Sequence, residues 1–125
     1  MKDSVIRLMI LAFFVWAIVL LYDNFLTTSM VRGTYVNTNF KYHPFLIEIP
    51  YRPDTLILAD NGKFTSKYWG NGNYQIKHKF VYTQISLNYD VAGKGSITFN
   101  MNRYHFQLPQ IVLFNVENHA YRKIN

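Results

Sequence analysis

Residues 8–22 (LMILAFFVWAIVLLY) run for fifteen positions without one charged or strongly polar side chain. No other feature restricts the fold as much, because a helix that is apolar around its whole circumference has no side to turn towards water. As a helix the run rises about 22 Å, short of a hydrocarbon core of about 30 Å. Val5 and Ile6 extend it at one end and Phe25 and Leu26 at the other, so a span from about Val5 to Leu26 is expected. Arg7 reaches the headgroups on its flexible stem, and Tyr22 stands where an interfacial ring belongs. Trp16 lies too near the middle to serve as such an anchor.

A cleaved secretory signal also has a basic start and an apolar stretch of this length, but its cleavage site wants small residues in an Ala-x-Ala-like pattern. Thr27-Thr28-Ser29 matches that poorly, so an uncleaved anchor is expected. Lys2, Arg7 and the amino terminus precede the run and Asp23 follows it. The positive-inside bias then places the N-terminus in the cytoplasm and everything after about Thr27 in the periplasm or outside the cell. The expected organisation is an anchor over residues 1–26 and an extracytoplasmic domain over 27–125.

The texture of the second part is different. Short runs alternate apolar and polar residues, and Gly, Asn, Asp and Pro separate them. Strands are expected at 33–37, 45–49, 55–59, 63–69, 73–79, 82–89, 96–101, around 104–108, at 111–114 and at 120–124. Asp60-Asn61-Gly62 and Gly70-Asn71-Gly72 read as tight turns, and a short turn is expected near 116–119. Leu56 and Leu58 share a face, as do Ile85, Leu87 and Tyr89, and likewise Ile97, Phe99 and Met101; Thr83, Gln84, Ser86 and Asn88 supply polar positions. These ten runs, taken as eight or nine short strands joined by sequential hairpins, predict an all-β, up-and-down antiparallel barrel, a form whose closure removes exposed edges.

Gly33-x-Tyr35 at the first strand, Asp54-Thr55-Leu56, Asp60-Asn61-Gly62-Lys63-Phe64, the segment from Trp69-Gly70 to Tyr74 and the basic last strand Tyr121-Arg122-Lys123 resemble the bacterial lipocalin-like (calycin-type) small barrels over roughly residues 33–124. That family opens on Gly-x-Trp, with a basic residue of the last strand packed across the ring. Tyr35 replaces the tryptophan here, and the resemblance implies a barrel-closing pair of Tyr35 with Arg122 or Lys123, Arg122 being the expected partner. It also implies a fold and an apolar cavity, not an activity.

The chemistry-bearing residues are sparse. The chain contains no cysteine, which removes disulfides and thiolate sites. The four histidines, His43, His78, His105 and His119, have no metal-binding spacing; Glu117 with His119 offers two ligands at most, and no cofactor is expected. The domain has five carboxylates, Glu48, Asp54, Asp60, Asp90 and Glu117. Asp54 and Asp60 read as turn residues, and a Glu48–Asp90 pair has no motif behind it. Catalytic residues are therefore not assigned, and no enzyme is expected. The formal net charge of +6, with Lys77, His78 and Lys79 beside Tyr74 and Phe80, superficially suits nucleic acid. An exported domain seldom meets nucleic acid, and solubility beside anionic headgroups explains the charge without it.

The remaining expectation is binding. Core-facing Phe64, Tyr74, Leu87, Phe99 and Phe106 are the candidates to line a cavity for a small apolar or amphipathic ligand. Tyr51, Arg52 and Trp69 are the candidates for an interaction surface, with Tyr51-Arg52-Pro53 the most hot-spot-like cluster. The alternative to a ligand is a protein partner, the chain then being a subunit of an envelope complex or an immunity-type protein.

Overall fold

The computed structural model describes residues 1–38, 50–79, 82–90, 94–103, 107–114 and 119–125. A single long helix, α1 (Lys2–Asn24), leads into one helical turn, α2 (Thr28–Val31). Eight strands follow: β1 (Gly33–Thr38), β2 (Thr55–Leu58), β3 (Lys63–Ser66), β4 (Gly70–His78), β5 (Thr83–Tyr89), β6 (Gly95–Asn102), β7 (Gln110–Phe114) and β8 (His119–Lys123). Each strand pairs antiparallel with the next, and β8 returns to β1, so the barrel closes in up-and-down order as the hairpins predict. A bulge between Val112 and Phe114 bends β7 against β8.

Alternation explains the packing. Successive side chains on a strand point to opposite faces, so β2 and β3 each read exposed, buried, exposed, buried. Eight strands enclose an interior just wide enough for side chains to fill. Here Tyr35, Leu56, Leu58, Phe64, Trp69, Tyr74, Ile85, Leu87, Phe99, Met101, Ile111 and Tyr121 form one buried cluster.

Three expected boundaries move, each for a visible reason. First, α1 ends at Asn24, and Phe25 is already extended. Thr83, read as a polar position, is fully buried. Its hydroxyl donates to the Asn24 carbonyl (2.6 Å) and accepts the Leu26 N–H (3.0 Å), so a barrel threonine terminates the helix. Leu26, expected to be the last residue of the span, is instead fully buried in the barrel cluster with Val31.

Second, the turn expected at Gly70-Asn71-Gly72 falls at residues 67–69, and those glycines open β4. The Ser66 hydroxyl accepts the Tyr68 and Trp69 N–H groups (3.1 and 3.0 Å) and turns the chain early. Gly70 then adopts φ +78°, a left-handed value natural to glycine. Gly72 is required for another reason: a methyl there would lie 1.9 Å from the Asn88 carbonyl oxygen and 2.8 Å from the Phe64 ring. Gly72→Ala is expected to lower the unfolding free energy by about 1–3 kcal/mol through overpacking; an unchanged urea midpoint would contradict this placement.

Third, of the strand expected around 104–108, residues 107 and 108 lie outside any strand, and 104–106 are outside the described residues. The run expected at 45–49, with His43 and Glu48, is also outside them, as are Phe80, His105, Phe106, Glu117 and positions 116–118 of the expected last turn. His119, the final residue of that turn, opens β8.

Candidate functional site

The strand directions give the barrel two ends. At the near end, where α1 arrives, β1 begins, the β2–β3 and β4–β5 hairpins turn and β8 finishes. At the far end lie the approach to β2 and the β3–β4 and β5–β6 connections.

The near end is stoppered by the chain that enters it. Leu26 and Val31 fill it, and the Tyr35 hydroxyl donates to the Val31 carbonyl. His78 Nε2 donates to the Leu26 carbonyl (2.7 Å) while its ring stacks on Phe25 at 4.5 Å. Lys123 Nζ donates to the Met30 carbonyl (2.8 Å). Burial first, and then the neighbouring Arg32 charge, draw the Lys123 ammonium below the usual lysine range. The helix is clamped as well: the Arg103 N–H donates to Asp23 O and its Nε to Tyr22 O, both at 2.8 Å, with the guanidinium 3.7 Å from the Tyr22 ring centre.

The expected closing pair needs correction at this end. Tyr35 faces Lys123 across the β1–β8 seam, whereas Arg122 pairs with Val36 and is exposed. A one-residue step along a strand reverses the face, so Lys123, not Arg122, stands beside Tyr35. Gly33 is needed because a methyl at its φ of +142° would meet the Asn125 carbonyl oxygen at 2.2 Å and the Lys123 side chain at 2.6 Å.

The far end is organised by Asp54, which the sequence offers only as a turn residue. Asp54 is buried. Its Oδ2 accepts the Ser66 hydroxyl (2.6 Å) and the Tyr121 hydroxyl, and its Oδ1 accepts the Lys67 and Tyr68 N–H groups (3.1 and 3.2 Å). Trp69 Nε1 donates to the Tyr121 hydroxyl (3.2 Å). Asn37 holds the same segment in place: its Oδ1 accepts the Asp54 N–H (2.8 Å) and its Nδ2 donates to the Arg52 carbonyl (2.6 Å). Residues far apart in sequence thus meet on one carboxylate, a convergence that periodicity alone does not reveal.

Burial, followed by the Asp54 hydrogen bond and charge, pushes the Tyr121 phenol well above the ordinary tyrosine range. Burial, and secondarily Tyr74, does the same for Tyr35. Unfolded tyrosine ionises near pH 10, so above that pH the unfolded chain releases protons that the barrel retains. Stability is therefore complete below about pH 10 and falls above it by about 1.4 kcal/mol per pH unit for each of the two tyrosines. Urea titrations from about pH 8 to pH 11.5 should show this decline, and Tyr35→Phe should make it shallower; a level profile through that window would contradict the burial.

Of the cavity candidates, Phe64, Tyr74, Leu87 and Phe99 are buried in the same cluster, and Phe106 is outside the described residues. Tyr74 is tied down further, its hydroxyl donating to the Ala59 carbonyl. Of the surface candidates, Tyr51 is half-buried and Arg52 exposed, the guanidinium lying 5.9 Å from the Tyr51 ring centre. Trp69 is not a surface residue. It is 3% exposed and packs on Tyr89 and Phe99 at ring separations of 5.3 and 6.0 Å, which the alternation of its neighbours could not indicate because it lies in a turn.

Two depressions flank Pro53 and Asp54. One, of about 370 Å³, is lined by Val36, Asn37, Pro53, Asp54, Thr55 and Lys67; the other, of about 220 Å³, by Pro50, Arg52, Pro53, Asp54, Lys67 and Tyr68. Arg52 and Lys67 bring two exposed cations to their rims beside the rings of Tyr51 and Tyr68. Among the described residues, no three of the His, Asp and Glu side chains converge. The chain matches no family model, no curated protein and no solved structure.

Proposed function

We propose that this protein is a membrane-anchored, non-enzymatic interaction module that presents the far end of its barrel, around Tyr51, Arg52 and Lys67, to a protein partner. The observation that carries the reading is the occupied interior: Phe64, Tyr74, Leu87 and Phe99 pack on one another and on Trp69 and Tyr121 within one buried cluster. A small apolar ligand held inside such a barrel would need the room those rings occupy. The clefts beside Pro53 combine aromatic rings with guanidinium and ammonium groups, a composition suited to an acidic or aromatic surface loop.

The anchor reading draws on α1, long and apolar enough to cross a bilayer and without a buried residue. It is also supported by Leu26, since cleavage near residues 27–29 would withdraw a side chain from the barrel core. Placement of the barrel outside the cytoplasm rests on Lys2, Arg7 and the amino terminus, and a long domain translocates largely regardless of its own charge. The lipocalin-like reading rests on the up-and-down closure together with Gly33 and Tyr35 at the seam. The non-enzymatic reading rests on Asp54, whose oxygens are engaged by four donors of the chain itself.

Native mass spectrometry of the full chain, gently extracted from its own membrane, tests this. A stoichiometric protein complex that dissociates on Arg52→Glu with Lys67→Glu, while the circular dichroism spectrum is kept, is the expected result. A bare chain carrying a small molecule would restore the cavity reading and overturn the proposal.

A further inference from the structure

Beyond α1, the exposed large apolar side chains are unevenly placed. Phe25, Tyr82, Leu108 and Ile124 are 38–55% exposed, and all four stand at the near end; on the rest of the barrel the only other described one is Ile57. Their connections confirm the common position. Phe25 stacks on His78 at the end of β4, Tyr82 O accepts the Lys79 N–H in the β4–β5 hairpin, Pro109 O accepts the Lys123 N–H, and Ile124 pairs with Thr34. Single exposed apolar residues are ordinary, but a ring of them at one end of a barrel is not.

The charge is uneven in the same direction. Arg32, Lys63, Lys77, Lys79, Arg122 and Lys123 gather at this end, against Asp23 and Asp60 among the described residues. Apolar side chains interleaved with lysine and arginine are the composition of a surface that lies in the headgroup region of a bilayer.

Geometry supplies the occupant. The chain passes from the last turn of α1 to the buried Leu26 in two residues, and Arg103 bonds back to Tyr22 and Asp23, so no free linker separates this rim from the helix end. If α1 spans a bilayer, the rim is held at the level where the helix emerges. We infer that the near end of the barrel is a lipid-docking surface: Leu108, Ile124, Tyr82 and Phe25 enter the interface, and the surrounding lysines and arginines bind anionic headgroups. The inference rests on α1 as a membrane span and holds for whichever side of the bilayer the barrel occupies. It would aim the clefts beside Pro53 away from the membrane.

Because the chain has no cysteine, single labels can be placed without background. Full-length Leu108→Cys, Ile124→Cys, Ser96→Cys and Val15→Cys, each carrying an environment-sensitive fluorophore, would be reconstituted in two vesicle types: phosphatidylcholine with headgroup-proximal brominated phosphatidylglycerol, and brominated phosphatidylcholine alone at equal bromine content. Quenching at 108 and 124, with none at 96, is expected. It should be stronger for phosphatidylglycerol and lose that preference in Arg32→Glu with Lys79→Glu.

No quenching at 108 and 124 while Val15 is quenched would overturn the docking surface and leave the anchor standing. A Val15 label left unquenched by lipid brominated at the ends of its acyl chains would overturn both. Equal quenching by the two lipids would overturn the anionic recognition, and shielding of 108 and 124 from lipid and aqueous quencher alike would assign the rim to a protein and overturn the proposal.

Discussion

Replacing Asp54 by alanine is expected to lower the unfolding free energy of the barrel by about 2–4 kcal/mol, the scale for breaking a buried hydrogen-bond network and leaving its donors behind. The hydroxyls of Ser66 and Tyr121 and the N–H of Lys67 lose their acceptor together, while the N–H of Tyr68 keeps only the Ser66 hydroxyl. Each one left buried without a partner costs about 1–3 kcal/mol, reduced where the β3–β4 turn admits water. A loss of this size is a large share of the about 5–15 kcal/mol that holds a domain together.

Asp54→Asn should fall between the wild type and Asp54→Ala. The amide keeps one acceptor oxygen but brings an NH₂ to a site surrounded by donors. Tyr121→Phe should hurt far less in the Asp54→Ala background than in the wild type, because the phenol has already lost its acceptor. Urea titration of the detergent-solubilised full chain, followed by circular dichroism, measures all of these. An Asp54→Ala loss below about 1 kcal/mol, or strict additivity with Tyr121→Phe, would mean that the carboxylate does not organise the far end.

Leu26→Ala carries the second large effect, about 2–5 kcal/mol, as for leucines deleted from closed cores. The side chain is fully buried at the near end, although it lies only two residues beyond a helix that has no buried residue. Leu21→Ala, one turn earlier and 48% exposed, serves as the control and should leave barrel stability nearly unchanged. Thr83→Val should reproduce part of the Leu26 loss without removing any apolar volume, since it frees both the Leu26 N–H and the Asn24 carbonyl. Equal behaviour of Leu26→Ala and Leu21→Ala would show that residues 25–31 are a passive linker and would also remove the rigid seating on which the lipid-docking rim depends.

These two sites show where reading the chain succeeds and where it stops. Alternation in 55–58 and 95–102 is a local signal, because a strand's period of two assigns each side chain to a face before any partner is known. The run of hairpin-length connections orders neighbours in the same way. A fully apolar fifteen-residue stretch likewise declares its helix and its aversion to water. Trp69 and Leu26 defeat that reasoning: one sits in a turn and the other just past a helix, where no period holds, and burial there depends on what the rest of the chain brings alongside.

The amino-acid sequence by itself determined an apolar N-terminal helix followed by a closed all-strand barrel, because periodicity and turn chemistry act between near neighbours. Only the tertiary structure decided where the helix ends, that Lys123 rather than Arg122 stands beside Tyr35, and that Asp54 joins β2, β3 and β8. Those outcomes depend on register around a closed ring, where a shift of one residue reverses every face, and a ring has no register until its last strand meets its first.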